Sequence, residues 1–362
     1  MTAPLTRKRI LVGMRVFLFL TVLGLTLVFF VTGTRQTWEA LKAFNPWFLL
    51  LALGLVLVDF FSGASRIYIF LKGRIPNCFA VCFKANLANI FLAAATPFQT
   101  GGGLAQLYVL NHYGIPYTAG LTVSVLNFVA TLSLLFFSAS VVLTSVPHRL
   151  VESQSLLVVL DISRFAFYFT LIIFLLFMIR PSICGKFFQA VLAGLSRRLP
   201  RYQKTFSKWQ EKLLVFVDQY QQTLYTVWKK EKSALVWNVI LTLILYFNKC
   251  LVAFVIITGL GISAPFWDVI LLQMLVIFFL YFAPTPGASL IAETGMPAVM
   301  SWLLPAYALS LFTVMWRFFT TYVGVFLGSL VLLRILAPEL STSAAIRTPE
   351  PAVYVPPSLE SE

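Results

Sequence analysis

The chain has 362 residues, of which 59% are hydrophobic and 11% charged, with a mean hydropathy of +0.89. Soluble domains carry about a quarter of their residues as charges, so this composition excludes a water-soluble globular protein and requires a polytopic membrane protein. The formal net charge of +14 does not point to nucleic acid, because basic residues gathered between apolar spans mark cytoplasmic loops beside anionic lipid.

The first apolar segment, residues 10–31, is long enough to cross a bilayer and lacks the small-residue cleavage pattern of a signal peptide, so it reads as a retained span. Arg7, Lys8, Arg9 and Arg15 flank its start and place the N-terminus in the cytoplasm. Residues 46–71 return and end beside Lys72 and Arg74. This span carries Asp59 and Arg66, which share a helix face two turns apart, too far for direct contact with each other.

The apolar run over residues 79–95 then meets TPFQTGGGLAQLY at residues 96–108. Pro97 removes a backbone donor and Gly101, Gly102 and Gly103 lack a Cβ, so an entering helix is expected to break here. Hydrocarbon satisfies no backbone hydrogen bond, so a break at membrane depth must face protein or a polar cavity. Charge decides how the break is threaded. If residues 79–110 crossed, the most basic loop, residues 180–232 with eleven Lys or Arg against Glu211, Asp218 and Glu231, would face outward. A re-entrant hairpin from the cytoplasm restores the positive-inside rule.

Spans follow over residues 118–146 and 156–179, the second carrying Asp161 and Arg164 one turn apart as an expected local ion pair. Within the basic loop, Phe206, Trp209, Leu213, Phe216, Tyr220, Leu224 and Val227 recur at steps of three and four. They predict an amphipathic helix that either packs on the cytoplasmic face of the bundle or lies on the lipid surface. Residues 234–259 cross outward with Lys249 near their middle, and residues 266–282 meet a second interruption, APTPGASLIAETG at residues 283–295, with Pro284, Pro286 and Gly287. Residues 305–333 cross inward with Arg317 inside them and end at Arg334. The Pro-, Ser- and Glu-containing tail from residue 337 is expected to be disordered.

The predicted fold is therefore an all-α polytopic membrane helix bundle of six full spans plus two re-entrant hairpins, with eight ordinary spans as the alternative. Residues 1–336 form the membrane domain, with the basic amphipathic segment at 180–233 and the tail at 337–362. Span, hairpin, span occurs in each half with opposite orientation, an inverted repeat of the kind that builds a transporter site at the repeat interface. Both termini are expected in the cytoplasm of a cell-membrane protein.

No nucleophile elbow, P-loop or zincin motif occurs, and His112 and His148 lie outside every predicted span, so no enzyme is expected. Cys78, Cys82, Cys184 and Cys250 read as small buried hydrophobes, with no metal, cofactor or disulfide expected. Ionisable groups inside spans carry the functional signal, because each costs about 2.5–3.5 kcal/mol at mid-helix and faces an interior or a cavity. These are Asp59, Arg66, Lys249 and Arg317. At the breaks, half-helices starting after Gly103 or Gly287 are expected to aim free N–H groups at an anion, with Gln99, Thr100 and Gln106 as further donors. Glu293, near the second break, is placed to hold Lys249 or Arg317, or to titrate during transport.

TPFQTGG followed by Gln106 and Tyr108, NHYGIPYTAGLTV at residues 111–123, PTPGAS at 284–289 followed by Glu293, and WRFFTTY at 316–322 together resemble the membrane domain of lysylphosphatidylglycerol synthetase/flippase proteins. The resemblance implies a lipid-binding or lipid-translocating bundle with re-entrant segments around a cavity, to which Pro97, Pro286 and Tyr322 also belong. Many relatives carry a glutamate shortly after the first glycine pair, where this chain reads Gly103, Leu104 and Ala105. The sequence is thus expected to encode a flippase-like transporter of an anionic phospholipid or glycolipid. The alternative is a non-transporting accessory protein whose basic segment docks a lipid-modifying or cell-envelope enzyme.

Overall fold

The computed structural model describes residues 7–145, 181–198 and 232–342, with a few isolated positions between them. Among the described residues all regular structure is helical: α1 (Arg7–Thr32), α2 (Arg35–Ala43), α3 (Trp47–Leu71), α4 (Cys78–Ala94), α5 (Thr100–His112), α6 (Tyr117–Ser145), α7 (Pro181–Arg198), α8 (Lys232–Gly259), α9 (Phe266–Tyr281), α10 (Ile291–Met300), α11 (Ala306–Arg317) and α12 (Val323–Thr342). Among the described residues, five stretches are long and apolar enough to cross a bilayer: Met14–Thr32, Trp47–Leu71, Tyr117–Val142, Lys232–Gly259 and Ala306–Ile335. The last joins α11 to α12 through a π-helical turn at Phe318–Tyr322. The sixth expected span, the Asp161–Arg164 pair and the amphipathic helix after residue 206 lie outside the described residues. Helix α12 continues to Thr342, past the expected start of the tail, whose remainder lies outside them too.

The two interrupted segments form helical hairpins. Asn89 on α4 donates to Gln106 Oε1 on α5 at 3.0 Å, and Gln273 on α9 reaches Met296 on α10. Asn89 and Gln106 stand at nearly equal distances before and after the first break, and in both pairs the contact joins the limb before the break to the limb after it, as in antiparallel limbs. At 1.5 Å per residue α4 and α9 are only about 25 Å long, short of the roughly 30 Å hydrocarbon core. The hairpins touch chiefly at their tips: the Phe98 N–H donates to Ala283 O at 3.1 Å and Gln99 Nε2 to Leu280 O at 3.3 Å. The limbs of the two hairpins do not run side by side, and α3–α4–α5–α6 and α8–α9–α10–α11/α12 repeat the same order.

Close packing relies on glycine where helices meet. Gly324 and Gly328, one turn apart on α12, lie against Ile90, Leu87 and Phe91 of α4, so that a Cβ on either would collide with them. Polarity is inverted relative to a soluble domain. Phe19, Val22, Phe30 and Val31 of α1, Leu50 and Phe61 of α3, and Val236, Val239 and Leu243 of α8 all point outward, giving these helices lipid-facing sides. The buried apolar residues fall into two main groups, one around the first hairpin with α12 and one around the second hairpin with α3, α8 and α11.

Candidate functional site

The first break is made by Pro97 and the two residues after it, not by the glycines. Phe98 and Gln99 adopt left-handed backbone with φ of 52° and 54°, and α5 begins at Thr100 with Gly101, Gly102 and Gly103 inside its first turn. This corrects the expectation that the half-helix starts after Gly103. Gly101 and Gly102 are instead contact residues: a Cβ on Gly102 would come within 3.0 Å of Ala93 Cβ and of the Asn89 carbonyl oxygen, and one on Gly101 would meet Thr96. Gly103 faces open space.

The second break carries Gly287, Ala288 and Leu290 at φ of 60°, 53° and 70° before α10 starts at Ile291. Gly287 is pressed against the Phe17 ring and the Ala94 carbonyl. Four of the five non-glycine residues with positive φ among those described, Phe98, Gln99, Ala288 and Leu290, sit at the two breaks. Each such residue costs about 1–3 kcal/mol, which only an over-determining environment sustains.

One N–H group at each break is bonded by a side chain of the protein itself. Thr96 Oγ1 accepts from the Gly101 N–H at 2.8 Å, and Glu293 Oε2 accepts from the Leu290 N–H. A hydroxyl thus occupies one donor at the start of α5, and a carboxylate occupies the N–H of the residue that precedes α10.

Glu293 also answers the question of its partner. Its Oε1 accepts from Arg317 Nε at 2.8 Å, with the side chains 0% and 3% exposed. Arg317 donates further to the Gly287 carbonyl at 3.1 Å and to Thr321 Oγ1 at 3.1 Å, and stands over the Tyr322 ring. One guanidinium thus ties the second break to the π turn. Gly24 of α1 provides the space in which Glu293 lies, and Thr21 meets Ser289 at 3.0 Å. Lys249 pairs elsewhere, its Nζ 2.9 Å from Asp59 Oδ1, with side chains 27% and 13% exposed. That oxygen has no hydrogen bond of good geometry, so the contact is Coulombic more than directional.

Arg66 has no carboxylate partner among the described residues. Its Nη2 donates to the Asn127 carbonyl at 2.7 Å and to Thr131 Oγ1 at 3.0 Å, and its Nε to Asn238 Oδ1 at 3.4 Å. As expected, Asp59 and Arg66 do not bond to each other; each finds its partners on other helices.

These groups converge on one cavity of about 570 Å³. Of the sequence-predicted residues, Asp59, Arg66, Gln99, Thr100, Gly103, Gln106, Lys249, Gly287 and Arg317 line it. Pro97, Gly101, Gly102, Pro286, Glu293 and Tyr322 do not; they shape or brace the wall behind. Three lining residues are exposed: Phe98 and Phe128, at 55% and 49%, and the polar Thr100. Sequence reasoning missed Asn86, Asn89, Ser124, Asn127, Thr131 and Tyr246, which also line the cavity. The signal was present: Ser124, Asn127 and Thr131 on α6, and Asn238, Thr242, Tyr246 and Lys249 on α8, repeat at helical spacing inside apolar spans. Among the described residues no group of three or more His, Cys, Asp or Glu is placed to hold a metal, and Cys78, Cys82 and Cys250 are buried free thiols.

Comparison with known proteins agrees with this architecture. A UPF0104 membrane protein of Archaeoglobus fulgidus is 23% identical over 311 residues, covering 84% of this chain and 91% of that protein. No solved structure matches. Residues 11–328, which contain both hairpins, the cavity and the π turn, match the family model described as the lysylphosphatidylglycerol synthase TM region. The chain is a multi-pass membrane protein and belongs to the family of the lysylphosphatidylglycerol synthase transmembrane region.

Proposed function

We propose that this protein is a flippase-like lipid transporter of the cytoplasmic membrane, which binds an anionic phospholipid or glycolipid and moves it between leaflets. One observation carries the reading: a cavity at the meeting point of two broken hairpins is lined by three cationic side chains and reaches the surface beside Phe98 and Phe128. A headgroup fits a space of this size, while Phe98 and Phe128 let the acyl chains stay in hydrocarbon. Isolated charges inside a bundle are costly and are retained where they meet a charged ligand or each other.

Two opposed hairpins also suit alternating access, because small movements at their shared tips would open the cavity to one side or the other. The positive-inside pattern supports cytoplasmic termini. In this reading the protein changes the lipid's position and not its covalent structure, so lysyl transfer is no part of its work. Purified protein reconstituted into vesicles with a panel of labelled lipids tests the reading. Accelerated flipping of anionic lipids is expected; no acceleration for any lipid, with folding confirmed, rules it out.

A further inference from the structure

The transport reading leaves open which feature of a headgroup the cavity recognises, and the pairing of charges inside it narrows that choice. Arg317 is matched by Glu293 and Lys249 by Asp59, whereas among the described residues Arg66 is held only by neutral oxygens. Both carboxylates are therefore committed and one positive charge is left over, at Arg66. That residue is itself 7% exposed, yet it lines the cavity, and its Nη1 makes none of the three hydrogen bonds that hold the guanidinium. Asp59 lines the cavity but faces Lys249, so the lining keeps a positive excess: an incoming cationic group would meet that excess, and an incoming anion would find a fixed guanidinium edge.

The rest of the polar lining is neutral. Asn89, Gln106 and Ser124 form a hydrogen-bonded chain from α4 through α5 to α6, with steps of 3.0 Å. Beside Arg66, the buried Oδ1 of Asn127 meets no donor, and across the cavity the Trp316 indole N–H meets no acceptor. A buried polar atom without a partner costs about 1–3 kcal/mol. An acceptor next to the guanidinium suits a ligand that carries a hydroxyl close to its anionic group.

We infer that Arg66 is the anion anchor of the cavity. It selects a phosphodiester whose headgroup bears hydroxyls, of glycerol or sugar type, and disfavours headgroups that carry an amine or an aminoacyl cation. The inference rests on the transport reading and assigns its substrate class.

Native mass spectrometry of the protein after exchange into mixed lipid tests it. The competitors are phosphatidylglycerol, phosphatidic acid, phosphatidylethanolamine and lysylphosphatidylglycerol, with soluble glycerol 3-phosphate added in a separate arm. Phosphatidylglycerol is expected to be retained over both amine-bearing lipids by about tenfold, because all three offer Arg66 the same phosphodiester and only the latter two bring an ammonium group against its positive charge, and over phosphatidic acid by less. Arg66→Gln is expected to erase the preference, and Arg66→Lys to restore part of it by returning the charge without the guanidinium fork. The unmodified protein alone decides the matter if either variant fails to fold. Equal or greater retention of lysylphosphatidylglycerol overturns this inference and leaves lipid transport standing. Phosphatidic acid held as well as phosphatidylglycerol overturns the hydroxyl requirement. Displacement of lipid by glycerol 3-phosphate assigns the anion site to a soluble ligand. No enrichment of any lipid over the bulk overturns both readings together.

Discussion

Arg317 Nε lies 2.8 Å from Glu293 Oε1, and this buried pair joins the second helix break to the π turn that follows Arg317. Both groups are fully committed: the carboxylate also caps α10 through Leu290, and the guanidinium also holds the Gly287 carbonyl and Thr321. The pair is thus a brace as well as part of a cavity wall. Its removal should be felt first as instability.

Glu293→Gln leaves a buried guanidinium uncompensated and is expected to destabilise the protein by about 3–5 kcal/mol. Thermal unfolding of the detergent-purified protein measures this. The double substitution Glu293→Leu with Arg317→Met is expected to recover much of the loss, since a well-packed apolar pair has no charge to desolvate. An unchanged melting temperature in Glu293→Gln means that the brace does not hold the fold.

Gly102 and Gly103 are neighbours with opposite expectations. Gly102→Leu forces α5 away from Asn89 and Ala93 on α4 and is expected to cost about 1–3 kcal/mol, with loss of folded protein on size-exclusion chromatography. Gly103→Leu meets nothing within 4 Å, so it should leave stability near that of the parent while reducing flipping by filling the cavity. Equal stability of the two variants would contradict the packing described for the first hairpin.

Asp59→Asn frees Lys249 and adds one positive charge to the cavity wall. The pair is partly exposed and poorly directed, so the stability loss is expected to be smaller than that of Glu293→Gln. Retention of anionic lipid should rise, and release should slow. Lipid content after purification and the rate of flipping read the two effects separately.

The tips of the hairpins are joined by the Phe98 N–H to Ala283 O bond at 3.1 Å, which brings the two backbones within disulfide range. In a background without the four native cysteines, Phe98→Cys with Ala283→Cys is expected to cross-link under mild oxidant, seen as a mobility shift after proteolysis between the halves. Flipping should fall to background and return on reduction. Undiminished flipping in the cross-linked protein shows that the tips do not separate during transport.

Much of the architecture follows from the sequence alone. The long apolar runs, the two prolines at Pro97 and Pro286, and the basic loop are local signals, because span length, the lost backbone donor and lysine or arginine density act over a few residues. Five of the six expected spans and both hairpins stand where those signals placed them, and the sixth lies outside the described residues. What the sequence misjudged was the role of Gly101 and Gly102: absence of a Cβ equally permits a break or a close helix contact, and only the position of α4 shows that contact is the answer.

Partners of the buried charges were decided by tertiary structure. Lys249 and Arg317 both had Glu293 as a possible match by sequence, but Glu293 and Arg317 are brought together by the α10–α11 packing, and Lys249 meets Asp59 where α8 crosses α3. The polar stripes of α6 and α8 become a cavity wall only because these helices turn the same faces toward Arg66. Hydrophobic length can be read from one segment at a time; which charge compensates which is a property of distances between segments, and it alone leaves Arg66 without a carboxylate among the described residues.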